Sequence, residues 1–166
     1  MTPHPCIVGW SHTRFGQLDA VDLEALIRDT ALPAIASAGL EPSDIDGVFI
    51  GHFNAGFVRQ DFSASLVGVA IEELRHAPAV RMENACATGS AAIWAALDAL
   101  GAGRVQRALV IGLEHMTGLP SAQIGQTLLK CSYVAQEGDT PGGFAGVFGQ
   151  IASTYFERFG DQSDAL

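Results

Sequence analysis

The chain has 166 residues, 48% of them apolar, with 19 glycines, which is enough for one α/β domain with a tightly packed core. Nine basic against 18 acidic residues give a net charge of −9, which argues against a nucleic-acid partner. No apolar run approaches the ~18–20 residues of a membrane-spanning helix, so no membrane partner is expected.

In chain order, Met1-Thr2-Pro3-His4-Pro5 lacks the basic and apolar regions of a secretory leader. Cys6 to Gly9 is a short apolar run that predicts a strand. Asp22 is placed to cap a helix running to about Ala38, with Leu23, Leu26, Ile27 and Ile35 on one face. Pro33 should kink that helix or loosen one turn, and Gly39 is placed to end it. Val48 to Ile50 predicts a second strand and Phe62 to Leu74 a second helix. Ala79 to Met82 predicts a short buried third strand, and Ala87 to Leu100 a helix ended by Gly101 and Gly103. Ala108 to Ile111 predicts a fourth strand. Alternating strands and helices imply a parallel sheet, whose reactive groups gather at the carboxyl ends of its strands. Cys86, His52 and His115 fall at such ends. Residues 117–146 are rich in Gly, Ser, Thr and Gln and carry Pro120 and Pro141, so a long irregular stretch is expected. Ile151 to Phe159 returns to a helix, with Ile151, Tyr155 and Phe159 along one face.

Cys86 carries the chemistry. It lies in Glu83-Asn84-Ala85-Cys86-Ala87-Thr88-Gly89-Ser90, between the third strand and the third helix. A thiol there sits beside the positive end of the helix dipole and near unpaired N–H groups, which favour a thiolate and can hold an oxyanion. The same position also suits a cysteine that is buried and only packs. Small residues on both sides leave the sulfur uncrowded. Gly89 costs about 1 kcal/mol inside a helix, so it suggests either a ligand or backbone approaching closely, or tight helix–sheet packing.

Asn84-Ala85-Cys86-Ala87-Thr88-Gly89-Ser90-Ala91-Ala92 resembles the nucleophile segment of thiolases of the archaeal and sterol-carrier-protein type. Ile111-Gly112-Leu113-Glu114-His115-Met116-Thr117 is similar to the family's Gly-x-Glu-x-Met-Ser/Thr turn. Gly142 to Phe148 resembles the start of its loop domain, and Ile7 to Gly16 its first strand and turn. The resemblance implies a thiolase-like α/β fold, with residues 1–114 as the domain carrying the nucleophile and 115–166 as the start of the substrate-covering loop domain. It implies that Cys86 takes an acyl group from acyl-CoA, and that coenzyme A is a substrate and not a held cofactor. It also implies a homodimer or homotetramer paired through the strand Ala79 to Met82, with an accessory subunit open. The family's activating histidine, in a Gly-His-Pro segment, and its second cysteine, in a Cys-x-Gly segment, belong to a C-terminal half that these residues lack. The 166 residues are therefore expected to be inactive by themselves. A non-catalytic assembly module and one half of a ketoacyl-synthase-type condensing enzyme are the alternatives.

The remaining candidates have plainer readings. His52 suits a satisfied polar residue at a strand end, and His115 a turn contact with Glu114. A carboxylate beside a nucleophilic thiol would raise its pKa, so Glu83 is expected to face away and pair with an arginine. Asn84 is placed to shape the turn through its side chain. Lys130, the one lysine, is either an ordinary surface residue or a phosphate contact. Cys6 is expected in the core and Cys131 in an exposed stretch. The three cysteines, Cys6, Cys86 and Cys131, have no metal spacing, and no metal site is expected. Cysteines so spaced suit a reducing cytoplasm.

Overall fold

A computed structural model describes residues 4–18 and 22–165. Met1-Thr2-Pro3, part of the segment in which no leader was read, lies outside them. The chain divides into two compact units. The first comprises residues 1–54 and 58–117, and the second residues 55–57 and 118–166.

The first unit is built on a three-stranded parallel sheet. Its strands are β1 (Gly47–His52), β2 (Ala79–Met82) and β3 (Ala108–Leu113), in the order β2-β1-β3. Three helices accompany it: α1 (Leu23–Ser37), α2 (Ser63–Ala70) and α3 (Thr88–Gly101). Asp22 caps α1, its Oδ1 accepting from the Ala25 N–H at 2.7 Å. Gly39 follows the helix at φ +69°, a conformation that a glycine adopts without strain. Pro33 stands on the exposed side of α1, and the helix runs continuously through it. The loosening is confined to the bond that Pro33 cannot donate to the Asp29 carbonyl.

Alternation along β1 divides the core between the two sheet faces. Val48 and Ile50 join Leu109, Ile111 and Leu113 on one face, under Leu23, Leu26, Ile27 and Ile35 of α1 and Ala64, Leu66 and Val67 of α2. Each of the larger side chains contributes about 1.5–3 kcal/mol by burial. Phe49 faces the other way and meets Ala92, Ala96 and Ala99 of α3. Those three alanines let α3 lie close to the sheet.

Several expectations are corrected. Residues 6–9 form no strand; Cys6, Ile7 and Val8 are exposed, so Cys6 is not a core residue. Gly9 is pressed against the end of α1, where an added Cβ would lie 2.5 Å from the Ala34 carbonyl oxygen. The segment is thus held by helix α1 instead of by a strand ladder. The second helix ends at Ala70 and yields to a 3-10 turn at Glu72–Leu74. β2 is not the buried strand expected: it is an outer strand of the sheet, none of its four residues is buried, and Val80 is exposed. Residues 117–146 are far from irregular. The second unit holds α4 (Ser121–Leu128), a 3-10 turn at Leu129–Cys131, α5 (Val134–Glu137) and α6 (Gly143–Phe159). Pro120 and Pro141 stand just ahead of helices, where a missing N–H costs nothing. Ile151, Tyr155 and Phe159 do share a face of α6, and all three are exposed. Among the described residues no helix is long and apolar enough to cross a membrane.

Asp46 locks the amino end of the sheet. Its carboxylate accepts from the Gln106 N–H at 2.9 Å and the Arg107 N–H at 2.9 Å, fixing the entry of β3 beside β1. Burial pushes this carboxyl up, but the Arg107 and Gln106 N–H groups and the Arg107 charge outweigh it and hold it below the usual carboxylate range. A depressed native value gives stability that is complete above the unfolded value, near ~pH 4, and is lost as pH falls through the native value. Asp46→Ala should lower neutral-pH stability by about 1–3 kcal/mol and flatten this part of the acid limb. Urea melts between pH 7 and pH 3 check both effects.

Candidate active site

The carboxyl end of the sheet gathers the site. After Met82 the chain turns sharply through Glu83 and Asn84 into a 3-10 turn at Ala85–Ala87 and then into α3. Cys86 lies within that turn and is exposed, so the packing-only reading of a buried cysteine does not hold. Ala85, immediately before it, has φ +46°, a left-handed conformation that costs a residue with a Cβ about 1–2 kcal/mol. Strain of this kind persists only where neighbouring contacts impose it.

Those contacts are explicit. The Ala85 N–H donates to Glu83 Oε1 at 2.6 Å, and the Asn84 N–H donates to Thr88 Oγ1 at 2.8 Å. The Ala87 N–H donates to the Asn84 carbonyl and the Thr88 N–H to the Ala85 carbonyl. Of the N–H groups of residues 84–88, that of Cys86 has no acceptor among the described residues. An N–H left open on the residue that carries an exposed thiol is a donor available to an oxyanion. Glu83 therefore braces the turn, and the expected ion pair with an arginine is corrected. Asn84 shapes the turn through its backbone, which supplies both a donor and an acceptor, and not, as expected, through its side chain.

Gly51 sets the height of this turn above the sheet. A Cβ there would lie 2.9 Å from the Thr88 carbonyl oxygen and 3.1 Å from its methyl, so only bare backbone lets α3 start so close to β1. The close approach expected at Gly89 occurs at Gly51. An added Cβ at Gly89 would meet nothing within 4 Å, so that glycine leaves open space beside the cysteine.

No hydrogen bond joins a histidine to Cys86 among the described residues. His52 alternates to the face opposite Gly51 and is fully buried, its Nε2 3.5 Å from Glu114 Oε1; neither ring nitrogen has a hydrogen-bond partner among the described residues, so the satisfied side chain expected here is corrected. Glu114 Oε2 also accepts from the Asn54 N–H at 3.2 Å. Glu114 thus pairs with His52 where a turn contact with His115 was expected. His115 and Met116 instead line a cleft of about 260 Å³ with His12, Phe15 and Glu114. Lys130 Nζ donates to the Ala55 carbonyl within the second unit, so its ammonium is engaged on backbone. Cys131 is half-buried and not, as expected, exposed.

Sequence reading missed Arg81, an arginine inside an apolar strand. Its guanidinium donates to the His52 carbonyl at 2.7 Å and the Phe53 carbonyl at 2.8 Å, and also pairs with Asp61. It holds the exit of β1 beside the exit of β2. Burial raises the Asp61 carboxyl, but Arg81 and the Phe62 N–H outweigh it and keep it below the usual carboxylate range. A charge in a four-residue apolar run was the available signal, since such a charge needs partners.

Ala85→Gly should remove the strain and melt at or above the wild-type temperature. Ala85→Val, which is β-branched, should cost about 1–3 kcal/mol. Paired thermal melts decide between them, and equal stability would show Ala85 to be unstrained.

Comparison with known proteins agrees with this geometry. Residues 6–138 match the model of the thiolase N-terminal domain. The acetyl-CoA acetyltransferase of Methanothermobacter thermautotrophicus is 30% identical over 96% of this chain and 41% of its own length. That of Methanocaldococcus jannaschii is 32% identical over 93% of this chain and 39% of its own length. The benzoylsuccinyl-CoA thiolase subunit BbsB of Thauera aromatica is 29% identical over 67% of this chain and 28% of its own. A hydroxymethylglutaryl-CoA synthase of Methanosarcina acetivorans is 29% identical over 64% and 30%. The chain therefore spans about two fifths of the length of the acetyltransferases it matches. With its parallel sheet and helix-start cysteine, it belongs to the thiolase family, through that family's N-terminal domain.

Proposed function

We propose that Cys86 is the acyl-accepting nucleophile of a thiolase-like acyltransferase. The observation that carries this reading is the exposed thiol on a braced turn, next to its own unengaged N–H. In the first step Sγ attacks the carbonyl carbon of an acyl-CoA. A new C–S bond forms, the bond to the coenzyme A sulfur breaks, and the leaving thiolate takes up the proton that Cys86 released. The Cys86 N–H donates to the carbonyl oxygen while it carries negative charge. The acyl group then passes to a carbon nucleophile in the Claisen direction; in thiolysis of a 3-ketoacyl-CoA, Sγ instead attacks the 3-keto carbon, the C2–C3 bond breaks, C2 takes up a proton to leave as acetyl-CoA, and coenzyme A then takes the acyl group from Cys86.

A base must stand within hydrogen-bond reach of the sulfur. The resemblance assigns that role, and the second cysteine, to segments not found in these 166 residues. We place them on further sequence or on an accessory subunit. The relatives named as hydroxymethylglutaryl-CoA synthases favour a second reading in which the same thioester serves only condensation. A reducing cytoplasm suits the unoxidised Cys86 that either reading requires.

Iodoacetamide at pH 7 should label Cys86 faster than Cys6 or Cys131, read by peptide mass spectrometry. With acetyl-CoA and the complementary segments supplied, the acetyl adduct should sit on the Cys86 peptide and vanish in Cys86→Ser. An adduct on another residue would refute the assignment.

We also propose that the protein pairs with a second copy through β2. This strand is an outer strand of the sheet, and Val80 at its centre is 46% exposed. Open edges invite strand addition, and two-fold closure is the common outcome. Val80→Lys should lower the mass measured by light scattering. An unchanged mass would place the interface elsewhere.

A further inference from the structure

We infer that Thr88 is a positioning residue for Cys86, holding the nucleophile's turn against the sheet through its hydroxyl. The inference rests on the reading of Cys86 as the nucleophile. Thr88 is 7% exposed and opens α3. On one side its carbonyl and methyl lie against the bare backbone of Gly51 in β1. On the other its Oγ1 accepts the Asn84 N–H, four residues back and on the far side of Cys86. The residue is thus a wedge between the middle strand and the cysteine turn.

An ordinary structural role for a threonine here would be to cap the helix. A capping side chain belongs to the residue before the first turn and accepts from an N–H inside the helix. That residue is Ala87, which has no such side chain and makes no such bond. The Thr88 hydroxyl accepts backwards, from outside the helix, so its work is to close the loop around Cys86. Closure at Asn84, together with the Glu83 bond to the Ala85 N–H, keeps Ala85 at φ +46°. The turn that results leaves the Cys86 N–H without an acceptor and Sγ exposed. Without the Thr88 acceptor, the Asn84 N–H is unpaired at a half-enclosed site and Ala85 is free to relax.

The test compares Thr88→Val, which keeps the shape but loses the acceptor, with Thr88→Ser, which keeps the acceptor. In the same chain, the iodoacetamide rate at Cys86 is measured with Cys6 as internal reference. Thr88→Val should slow Cys86 by about tenfold, the order expected when one enclosed N–H loses its partner. Thr88→Ser should stay within about threefold of wild type, and Cys6 should be unmoved in both. If Thr88→Val does not fold, Thr88→Ala replaces it in the comparison with Thr88→Ser. Equal Cys86 rates in the folded variants, with and without the hydroxyl, overturn the inference. Failure of the underlying reading looks different. In that case wild-type Cys86 is no faster than Cys6, or the acetyl adduct survives Cys86→Ser.

Discussion

The contact on which the site depends is the meeting of Thr88 with Gly51. A helix packed on a sheet normally stands off by the height of the side chains between them. Here Gly51 of β1 has no side chain, and the first residue of α3 occupies that space. The start of the helix is therefore fixed to the central strand of the sheet and not to a loop. Everything that gives Cys86 its chemical character follows from that anchorage. The turn must close within a few residues of Met82, so Ala85 takes a left-handed conformation. Its neighbours' N–H groups find acceptors, and that of Cys86 is left over.

The strand ends around this anchor are held by charge. Arg81 gathers the carbonyls of His52 and Phe53 with the carboxylate of Asp61. Glu114 joins buried His52 to the Asn54 N–H. The loop leaving β1 has Asn54 at φ +55°, and the Asn54 side chain binds the Val58 N–H and the Gln60 carbonyl. Asparagine tolerates that conformation better than most residues because its amide satisfies nearby backbone. These contacts occupy Asp61 and Glu114, while both ring nitrogens of buried His52 lack a hydrogen-bond partner among the described residues. On the cysteine's own turn the open polar group is a backbone N–H at a helix start.

Periodicity made the sheet and its three helices legible. Leu23, Leu26, Ile27 and Ile35 recur at helical spacing because one face of α1 is buried, and burial is what the pattern records. The exposed place of Cys86 at a strand-to-helix junction was legible in the small residues on both sides of it. The contacts that brace it were not. Glu83 to Ala85, Thr88 to Asn84 and Thr88 to Gly51 depend on backbone angles and on which strands lie side by side, and neither leaves a periodic trace. Arg81 and Glu83 were open to misreading for the same reason, since a charge announces that it needs partners but not which ones. The helices after Gly118 were hidden by composition. Glycines and prolines suggested irregular chain, but Pro120 and Pro141 precede helices, and Gly142 and Gly143 supply the positive φ angles at the entrance to α6.

The two faces of the sheet are unequally covered, and this links the site to assembly. Both α1 and α2 lie on the face of Val48 and Ile50, while α3 alone lies on the face of Phe49. On that thinner side Val80 and Val110 flank Phe49 in the strand register, and both are partly exposed, as are Ile93, Trp94 and Leu97 of α3. Apolar area left open in this way is the main favourable free energy still available to the domain. It borders β2, the strand that leads directly into the cysteine turn. Any surface that covers Val80 therefore also restrains Met82 and Glu83, and through the Glu83 carboxylate it restrains Ala85. The open edge at β2 and the turn that carries Cys86 thus share one short piece of backbone.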